Sequence, residues 1–413
     1  MKYYLDLHLH SKYSRAVSRD MDLEHMEEFA KRKGIDVLGT ADFTHPMWLK
    51  EMQTKLSEAG NGTYYLSKNS GVLFMTTGEI SCIYTQDGKS HRIHLVVIPS
   101  SLQNAEKIAS SLNWVGNLKS DGRPILGISA QKLSDLIWQK DENALIIPAH
   151  VWTPWFSLYG SASGFDSVKE AFGNLSDRIY AYETGLSSDP PMNWRIKEAR
   201  DRVLVSNSDA HSPDKLGREL TVIESENPFD FKLLSDILKD GYESKKGSIY
   251  TIEFYPEEGK YHQDGHRNCK VNLTPKKSKK IDNICPVCKK PLTIGVLHRV
   301  DDLADTDEPV VPKGAKFYYS VPLKELIGQI ENVGPNSKRV GERYEKVLTQ
   351  IPEMRYLREA GEADLARIGG EDLAQSVLAM RKGEVERVAG YDGEFGIIRV
   401  KFKPKKEEQS SLF

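Results

Sequence analysis

Residues 3–10 read Tyr-Tyr-Leu-Asp-Leu-His-Leu-His, an apolar run that ends in two histidines, His8 and His10, separated by one residue. Side chains two residues apart on a β-strand point to the same face, so the two imidazoles face the same way. Imidazole binds several first-row transition metals, and two imidazoles on one face can bind a single ion. The stretch therefore predicts a β-strand that ends in part of a metal site.

Further apolar runs in the first half of the chain end at, or contain, a residue type that binds metals. They are 37–42 (VLGTAD), 73–79 (LFMTTGE), 93–98 (IHLVVI), 144–150 (ALIIPAH), 179–183 (IYAYE) and 203–211 (VLVSNSDAH). Short β-rich runs that alternate with helical stretches predict βα units and a parallel sheet. Ligand-type residues at the carboxyl ends of successive strands predict a barrel with its active site at that rim.

The order of these residues resembles the PHP (polymerase and histidinol phosphatase) family over residues 1–245. The resemblance implies an α/β fold with a distorted (β/α)7 barrel that binds two or three divalent metals and hydrolyses phosphoesters. It also implies three ligand groups, namely His8, His10, Glu79 and Asp209 for the first metal, Glu79, His94 and His150 for the second, and Asp42 and His211 for the third.

The third group departs from the family pattern. Residues 11–16 contain no further histidine, and Asp42 stands where the family often has histidine, so we expect this metal to be the most weakly bound. Clustered divalent metals, Zn²⁺ with Mg²⁺ or Mn²⁺ as alternatives, would neutralise a phosphoester and lower the pKa of a bound water. Asp209, His211 and Glu79 are the expected catalytic residues, and His211 or Asp42 could transfer a proton. Glu183 is expected at the rim as an outer partner or a substrate contact.

A second cluster of metal-ligand types lies in residues 259–300. His266 and Cys269 form one pair spaced by two residues, and Cys285 and Cys288 form another. This spacing lets both side chains of a pair turn back on one ion, and four protein ligands leave no position for water. The segment therefore predicts one structural Zn²⁺. His262 stays open as a replacement for His266, and His298 is a weaker candidate.

The same segment contains ten Lys or Arg residues against two Asp, although the whole chain has a net charge of −2. A local basic patch on a balanced chain favours contact with a phosphate backbone. The residues expected at DNA phosphates are Arg267, Lys276, Lys277, Lys279 and Lys280. A solvated lysine loop is the alternative interpretation.

Aromatic residues are concentrated on the loop that follows His150, and another lies in a separate segment. Flat side chains at a catalytic rim can stack on an unpaired base, and they can equally fold back onto the protein core. The candidates for a base pocket or wedge are Trp152, Trp155, Phe156 and Trp114.

The length of 413 residues predicts two or three domains. We expect a catalytic barrel at 1–247, a zinc-binding basic module at 248–312, a mainly helical DNA-binding domain at 313–403 and a disordered tail at 404–413. Helical spacing is found at 324–332, 337–350, 355–360 and 371–382, and residues 395–402 predict a strand. The chain lacks an apolar run of about 18 residues, which argues against a membrane span. Four cysteines, three of them in one segment, favour metal binding in a reducing cytoplasm, with the protein associated with the nucleoid.

The complete pattern, in which residues 259–269 read GKYHQDGHRNC and a Cys-x2-Cys and a helical region follow, resembles the endonuclease Q family. The resemblance implies cleavage of duplex DNA 5′ of deaminated bases (uracil, hypoxanthine, xanthine) and abasic sites, leaving a 3′-hydroxyl and a 5′-phosphate. Single-stranded DNA as a substrate and a replication clamp or another repair protein as a partner stay open. The alternatives are a PHP-type phosphatase for histidinol phosphate or a nucleotide, which leaves the zinc segment unused, and a DNA-binding protein with a relict barrel.

Overall fold

The computed structural model describes residues 1–68 and 71–402, so the tail expected at 404–413 lies outside the described residues. Strands and helices alternate irregularly over the first 253 residues. In chain order they are β1 (Lys2–Asp6), α1 (Leu23–Lys33), β2 (Val37–Gly39), α2 (Pro46–Lys55), β3 (Ser57–Gly60), β4 (Thr63–Tyr65), β5 (Leu73–Met75), β6 (Gly78–Gln86), β7 (Lys89–Ile98), α3 (Leu102–Leu112), β8 (Ile125–Leu126), α4 (Ala130–Trp138), β9 (Leu145–Pro148), α5 (Val168–Phe172), β10 (Ala181–Glu183), α6 (Pro190–Asn193), α7 (Lys197–Arg200), β11 (Val203–Val205), β12 (Leu220–Glu224), α8 (Phe231–Asp240) and β13 (Ser248–Glu253).

The remaining elements are shorter strands followed by a run of helices. They are β14 (Asp264–His266), β15 (Val271–Leu273), α9 (Pro275–Lys279), α10 (Val296–Leu303), β16 (Phe317–Tyr319), α11 (Leu323–Glu331), α12 (Lys338–Leu348), α13 (Glu353–Arg358), α14 (Glu362–Gly369), α15 (Glu371–Arg381), β17 (Val385–Val388) and β18 (Ile397–Val400). The four helices and the strand predicted for this region are confirmed, and a further helix, α14, lies between α13 and α15.

The strands of the first 253 residues are mixed in direction. The main sheet has the order β16-β13-β12-β1-β2-β5-β4-β3, a second sheet has the order β8-β6-β7-β9, and β10 pairs with β11. Neighbours β1, β2 and β5 are parallel, whereas β12 runs antiparallel to both β1 and β13. The prediction of a mixed α/β fold is confirmed.

The predicted closed barrel is not found among the described strands, because the pairing is divided between separate sheets. The expectation of an all-parallel arrangement is also wrong. Strands β6 and β7 are joined by Asp87 and Gly88 alone, which adopt φ values of 50° and 77°. A two-residue turn of this kind can connect only antiparallel strands. The pair Asp87-Gly88 is itself a sequence signal for an antiparallel hairpin, which the prediction of a parallel sheet did not include.

Helix α1 shows how the helices are fitted to the sheet. The side chain of Asp22 accepts a hydrogen bond from the backbone N–H of His25, which satisfies one of the free donors at the start of the helix. The helix buries Leu23, Met26 and Ala30, which lie at helical spacing. It ends at Gly34 with φ 78°, a conformation that glycine adopts without strain, and the chain then reverses into β2.

The C-terminal helices are anchored on the sheet and on α1. Strand β16 pairs in parallel with β13, so that residues beyond 316 extend the main sheet. Arg355 on α13 contacts Asp36 at 2.8 Å, and the buried Lys33 contacts Glu353 at 2.8 Å. Within the described part of the chain, none of the helices combines the length and the apolar character that a bilayer-spanning segment needs.

Candidate metal centre

The ends of β1 and β11 bring the first group of ligand-type residues together. Leu9 and Ala210 form a parallel bridge, and the N–H of Asp209 donates to the carbonyl of His8 at 2.9 Å. These backbone contacts hold residues from opposite ends of the first 253 residues side by side. As a result, ligand atoms of His8, His10 and Asp209 lie within 4.8 Å of one another.

A second group forms beside the first from the antiparallel sheet. Glu79 is the second residue of β6, and His94 lies in the middle of β7 rather than at its carboxyl end. His150 follows β9, whose end is held by a hydrogen bond from Ala149 N–H to the carbonyl of His94. Oε1 of Glu79 lies 2.6 Å from Nδ1 of His94 and 3.2 Å from Nε2 of His150.

The Glu79 carboxylate also connects the two groups. Its Oε1 lies 3.6 Å from Nε2 of His8, and its Oε2 lies 3.4 Å from Nε2 of His10. A carboxylate in this position can bind one metal through each oxygen. The placement agrees with the bridging role that the resemblance implied for Glu79, and the role itself stays a prediction.

The donor set fits divalent metals. Nε2 of His8 is buried and has no hydrogen-bond partner among the described residues, although it faces Glu79 and Asp209 at 3.6 and 3.8 Å. A buried nitrogen without a partner is costly unless an ion binds there. Mixed imidazole and carboxylate ligands suit Zn²⁺ or Mn²⁺.

Charge coupling within the centre is strong. Burial raises the pKa of Glu79, but the neighbouring His94 and His8 overcome this effect and hold the pKa well below its usual range. Burial also lowers the pKa of His10, but hydrogen bonds to Asp209 and Asp42 dominate and raise it to about 9. A divalent cation would take the place of such protons, since metal ligands must be deprotonated.

Two residues outside the two groups, Glu183 and Thr153, contact their members, and Asn207 supports Glu183. Glu183 accepts hydrogen bonds from Nδ1 of His8 at 2.9 Å, from the N–H of His150 at 2.8 Å and from the amide of Asn207 at 2.9 Å. Thr153 holds Nδ1 of His150 at 3.1 Å. The position of Glu183 corresponds to an outer partner rather than a substrate contact. Sequence reasoning missed Asn207 and Thr153, because a single polar residue in a loop carries no recognisable pattern.

Three acidic or histidine residues of the site adopt backbone conformations that are rare for residues other than glycine. Asp42, His150 and Asp209 each follow a strand and adopt φ values of 42°, 31° and 48°. Residues other than glycine rarely adopt such values, and strained residues of this kind cluster at functional sites. All three lie within four residues of the end of the preceding strand.

The two residues expected at the third metal, Asp42 and His211, both lie beside His10. Oδ2 of Asp42 accepts hydrogen bonds from the N–H and hydroxyl of Ser11 and from the hydroxyl of Ser14, at 2.6 to 2.8 Å. Its Oδ1 faces Nδ1 of His10 at 3.6 Å. Nδ1 of His211 donates to the backbone oxygen of Asp209 at 2.9 Å. Oδ1 of Asp42 is buried without a hydrogen-bond partner among the described residues, and the assignment of Asp42 and His211 to a third metal stays a prediction.

Comparison with known proteins decides the family. No protein-family model matches the chain. The uncharacterized Bacillus subtilis protein YqxK is 30% identical over 419 residues, which cover 96% of this chain and 99% of YqxK. The crystal structure of the lesion-specific endonuclease PfuEndoQ from Pyrococcus furiosus matches with a TM-score of 0.87 and 30% identity over 100% of both chains. The structure of endonuclease Q with a 27-mer duplex substrate carrying an abasic lesion at the active site matches with a TM-score of 0.84 and 30% identity, over 99% of this chain and 100% of that one.

The chain belongs to the endonuclease Q family. The resemblance inferred from the sequence and the prediction of an enzyme are thereby confirmed.

In this endonuclease Q chain, the second predicted metal site also assembles from the expected residues. Ligand atoms of His266, Cys269, Cys285 and Cys288 lie within 4.8 Å of one another. The alternatives are not part of this group. Nδ1 of His298 donates a hydrogen bond to Oδ2 of Asp264 at 2.6 Å, and His262 is buried outside the group.

The basic residues of the endonuclease Q module differ in how free their charges are. Lys279 forms ion pairs with Asp301 at 2.7 Å and with Asp302 at 2.8 Å, so its charge is largely neutralised. The other residues expected at DNA phosphates are exposed, namely Arg267, Lys276, Lys277 and Lys280.

The candidate aromatic residues separate into two classes. Trp152 is only 1% exposed, and its Nε1 donates to Asn193 at 2.8 Å, so its assignment to a base pocket or wedge is wrong. Trp155 and Trp114 are 52% and 92% exposed. The ring of Phe156 lies 4.8 Å from the ring of His94, next to the centre. The sequence could not distinguish these cases, since an apolar loop can fold onto the core or project from it.

Proposed function

We propose that this chain is a metal-dependent DNA repair endonuclease that hydrolyses the phosphodiester 5′ of a damaged nucleotide. The proposed lesions are uracil, hypoxanthine, xanthine and abasic sites, and the proposed products carry a 3′-hydroxyl and a 5′-phosphate. The observation that carries the proposal is the full-length likeness to endonuclease Q, one structure of which holds an abasic duplex at its active site, combined with two ligand groups joined by Glu79.

Each residue of the centre has a proposed role in holding a metal or in orienting a ligand. His8, His10 and Asp209 would hold one divalent metal, and His94 and His150 would hold a second, with Glu79 between them. When bound, such metals neutralise the phosphodiester and lower the pKa of a coordinated water toward neutrality. Glu183 keeps Nε2 of His8 directed at the centre by binding Nδ1 on the other side of the ring.

His211 is the proposed group for proton transfer. Its Nδ1 lies 2.9 Å from the backbone oxygen of Asp209, and because a carbonyl only accepts, this nitrogen must carry the proton. Nε2 is then free to accept a proton from water or to pass it on. Burial and the neighbouring His10 lower the pKa of His211, which favours the neutral ring. The side chain is 36% exposed at the edge of the centre and can reach a substrate.

DNA contact is assigned to the exposed aromatic residues and to the basic module. Trp155 and Phe156 lie on the loop that begins at His150, so a nucleotide placed at the metals would meet them first. A base extruded from the duplex can stack on such rings. Lys276, Lys277 and Lys280 remain exposed for phosphate contacts.

The decisive experiment uses end-labelled duplexes that contain one uracil, hypoxanthine or abasic site, with an undamaged control, in Mg²⁺ or Mn²⁺. A single nick immediately 5′ of the lesion, with ends that a ligase reseals, supports the proposal. Phosphate release from small phosphomonoesters without any lesion-dependent nick would instead favour the phosphatase alternative.

A matched pair of variants tests the aromatic contact. Trp155→Ala should weaken binding to lesion duplex by about 1–3 kcal/mol, the range for loss of one base stack. Trp155→Phe retains a flat ring and should keep most of the affinity. Affinities are measured by fluorescence anisotropy titration. If Trp155→Ala binds the lesion duplex as tightly as Trp155→Phe and the parent protein, Trp155 is not part of the contact surface.

A further inference from the structure

The loop at residues 113–123, which follows α3, reaches the metal centre at its far end. Nη1 of Arg123 lies 3.1 Å from Oε2 of Glu79. The other oxygen of this carboxylate, Oε1, is the one that contacts His94 and His150, at 2.6 and 3.2 Å. The 113–123 loop and the aromatic loop that begins at His150 therefore reach Glu79 through different oxygens and flank the centre.

The 113–123 loop is held in place by its own contacts. The N–H groups of Val115 and Gly116 both donate to the carbonyl of Leu112, at 2.8 and 3.1 Å. A Cβ atom added to Gly116 would lie 2.6 Å from Cδ2 of Leu126, and Leu118 is buried. The loop is thus packed against β8 and offers a firm support for the side chains that it carries.

Trp114 projects from this support into solvent. It is 92% exposed, whereas Trp48, Trp152 and Trp194 are fully buried. An exposed indole leaves a large apolar surface in water, and contact with a flat apolar partner removes that surface from water. Trp114 is therefore a large flat side chain presented on the surface by a fixed loop.

Trp114 lies close enough to the metals to meet a duplex bound there. From Glu79 the path runs two residues along β6 to Ser81, across the strand pairing to Ile125, on to Gly116 in contact with Ile125, and two residues back to Trp114. With about 3.4 Å per residue and about 5 Å between strands, the Cα atoms of Glu79 and Trp114 are at most about 25 Å apart. This distance is shorter than one turn of B-DNA, which is about 34 Å.

Positive side chains accompany Trp114 on this surface. Lys119 is exposed on the same loop, and Arg15, on the loop that follows β1, has a 77% exposed side chain that contacts Asp121 at 3.4 Å. The N–H of Gly122 donates to the carbonyl of Tyr13 at 3.1 Å and joins the two loops. A base stack is apolar inside and anionic at its phosphates, so an exposed ring with cations beside it is complementary to DNA.

We infer that Trp114 is a wedge that enters the base stack of the bound duplex and fills the gap left by the extruded damaged nucleotide. The inference rests on the proposed function, because it requires a duplex at the metals. Extrusion of a paired base costs stacking free energy, and an apolar side chain inserted between base steps accompanies such a distortion. Trp155 and Phe156 then receive the extruded base on the Oε1 side of Glu79, and Trp114 supports the remaining helix on the Oε2 side.

Two duplexes distinguish a wedge from other roles of Trp114. One carries a uracil paired with adenine, and the other carries the uracil as an extra nucleotide without a partner. Extrusion of the extra uracil leaves no gap, because its neighbours can stack on each other. Relative to the parent, Trp114→Ala should weaken binding and slow single-turnover cleavage of the paired duplex about 5–150-fold, the factor for loss of one aromatic stack. It should handle the bulged duplex like the parent.

Two further variants provide matched controls. Trp114→Phe keeps a flat ring and should retain most of the affinity for the paired duplex. Trp155→Ala should lose affinity for both duplexes, because both present an extruded base. The melting temperature of Trp114→Ala should equal that of the parent, since the indole is exposed.

Two results would overturn the wedge. Parent-like behaviour of Trp114→Ala on the paired duplex would show that Trp114 does not contact the DNA. An equal loss on both duplexes would show that Trp114 contacts the extruded base or supports its loop instead.

The wedge and the proposed function fail separately. Binding is measured by fluorescence anisotropy with EDTA in place of the metal, and cleavage is measured in Mg²⁺ or Mn²⁺. If the parent makes no lesion-dependent nick, the proposed function fails, while the ratio of affinities for the two duplexes still tests Trp114. If the parent nicks and Trp114→Ala shows either contrary result, the endonuclease assignment stands and the wedge is wrong.

Discussion

The metal centre and the Cys–His group are constructed in opposite ways. The centre draws its ligand-type residues from positions 8 to 209, and backbone pairing such as the Leu9–Ala210 bridge brings them together. The Cys–His group takes all four residues from positions 266 to 288, where two short turns suffice. A large buried core surrounds the first, whereas few apolar residues of the second segment are buried, Cys285 and Leu292 among them.

This difference has a physical consequence for the role of each metal. Where the fold already places the ligands, a metal adds chemistry, and removal of one ligand leaves the scaffold intact. Where the ligands lie in a short segment with little core, the free energy of metal binding is a large part of the folding free energy. The two sites should therefore respond differently to the loss of one ligand.

The largest expected effect is on the centre. Asp209→Ala should abolish cleavage and leave the thermal transition close to that of the parent, because the core and the strand pairing do not depend on this carboxylate. A nicking assay and a melting curve on the same preparation measure both quantities. Asp201→Ala, at an exposed position, is the matched control. Retained activity would show that Asp209 is not a catalytic residue. Unfolding of the variant would show that the fold depends on this ligand, contrary to the difference expected between the two sites.

A smaller loss is expected one layer outside the ligands. Glu183→Gln keeps the size of the side chain but removes the charge that orients His8 through Nδ1 and receives the N–H of His150. Changes to such outer partners cost about 10–100-fold in metal affinity or activity. Titration of the apo-protein with Mn²⁺, followed by the cleavage rate, measures this loss. Glu226→Gln, which is exposed, should behave like the parent, and equal behaviour of both variants would contradict the role of Glu183.

The Cys–His group should give the converse result. Cys285→Ser should lower metal content, expose the 259–300 segment to protease and weaken DNA binding, while the sheet of the catalytic half stays folded. Each lost phosphate contact lowers the salt slope of binding by about 0.9, which a titration over several salt concentrations resolves. The variant could instead resist protease like the parent and bind DNA with the same salt dependence. That result would show that the Cys–His group neither stabilises the fold of the module nor positions its lysines.

A separate effect, on the pH dependence of stability, concerns two buried acids, Glu219 and Glu253. Glu219 and Glu253 both lie near the hydroxyl of Ser206, at 2.9 and 3.3 Å. Burial raises the pKa of Glu253 to about 8, and burial together with the Glu253 charge raises that of Glu219 well above its usual range. The folded state therefore holds protons that the unfolded chain releases near pH 4, and the stability they contribute is lost as the pH rises toward 8 and above.

Denaturant unfolding between pH 5 and pH 9 measures this dependence. The free energy of unfolding of the parent should fall with rising pH, by up to about 1.4 kcal/mol per pH unit for each proton involved. Glu253→Gln should make the profile flatter, because an amide cannot lose a proton in this range. Parallel profiles for the two proteins would show that Glu253 is not the group that titrates.

Local patterns in the sequence were sufficient for much of this architecture. The spacing of His8 and His10, the two Cys–His pairs and the helical periodicity near the C-terminus depend on neighbours a few residues apart, and the structure places these residues as expected. The family resemblance extended this to the set that meets at Glu79. These features were accessible because periodicity and ligand spacing are properties of the chain itself.

Contacts between distant segments decided the other features. Apart from the β6–β7 hairpin, which the pair Asp87-Gly88 signals, strand direction in the sheets has no local pattern. The burial of Trp152, the exposure of Trp155, the hydrogen bonds of Ser11 and Ser14 to Asp42 and the contact of Arg123 with Glu79 have none either. The chain supplied the residue types at each strand end. Packing determined which of them face the metals, because a side chain has a function only through the neighbours that the fold places beside it.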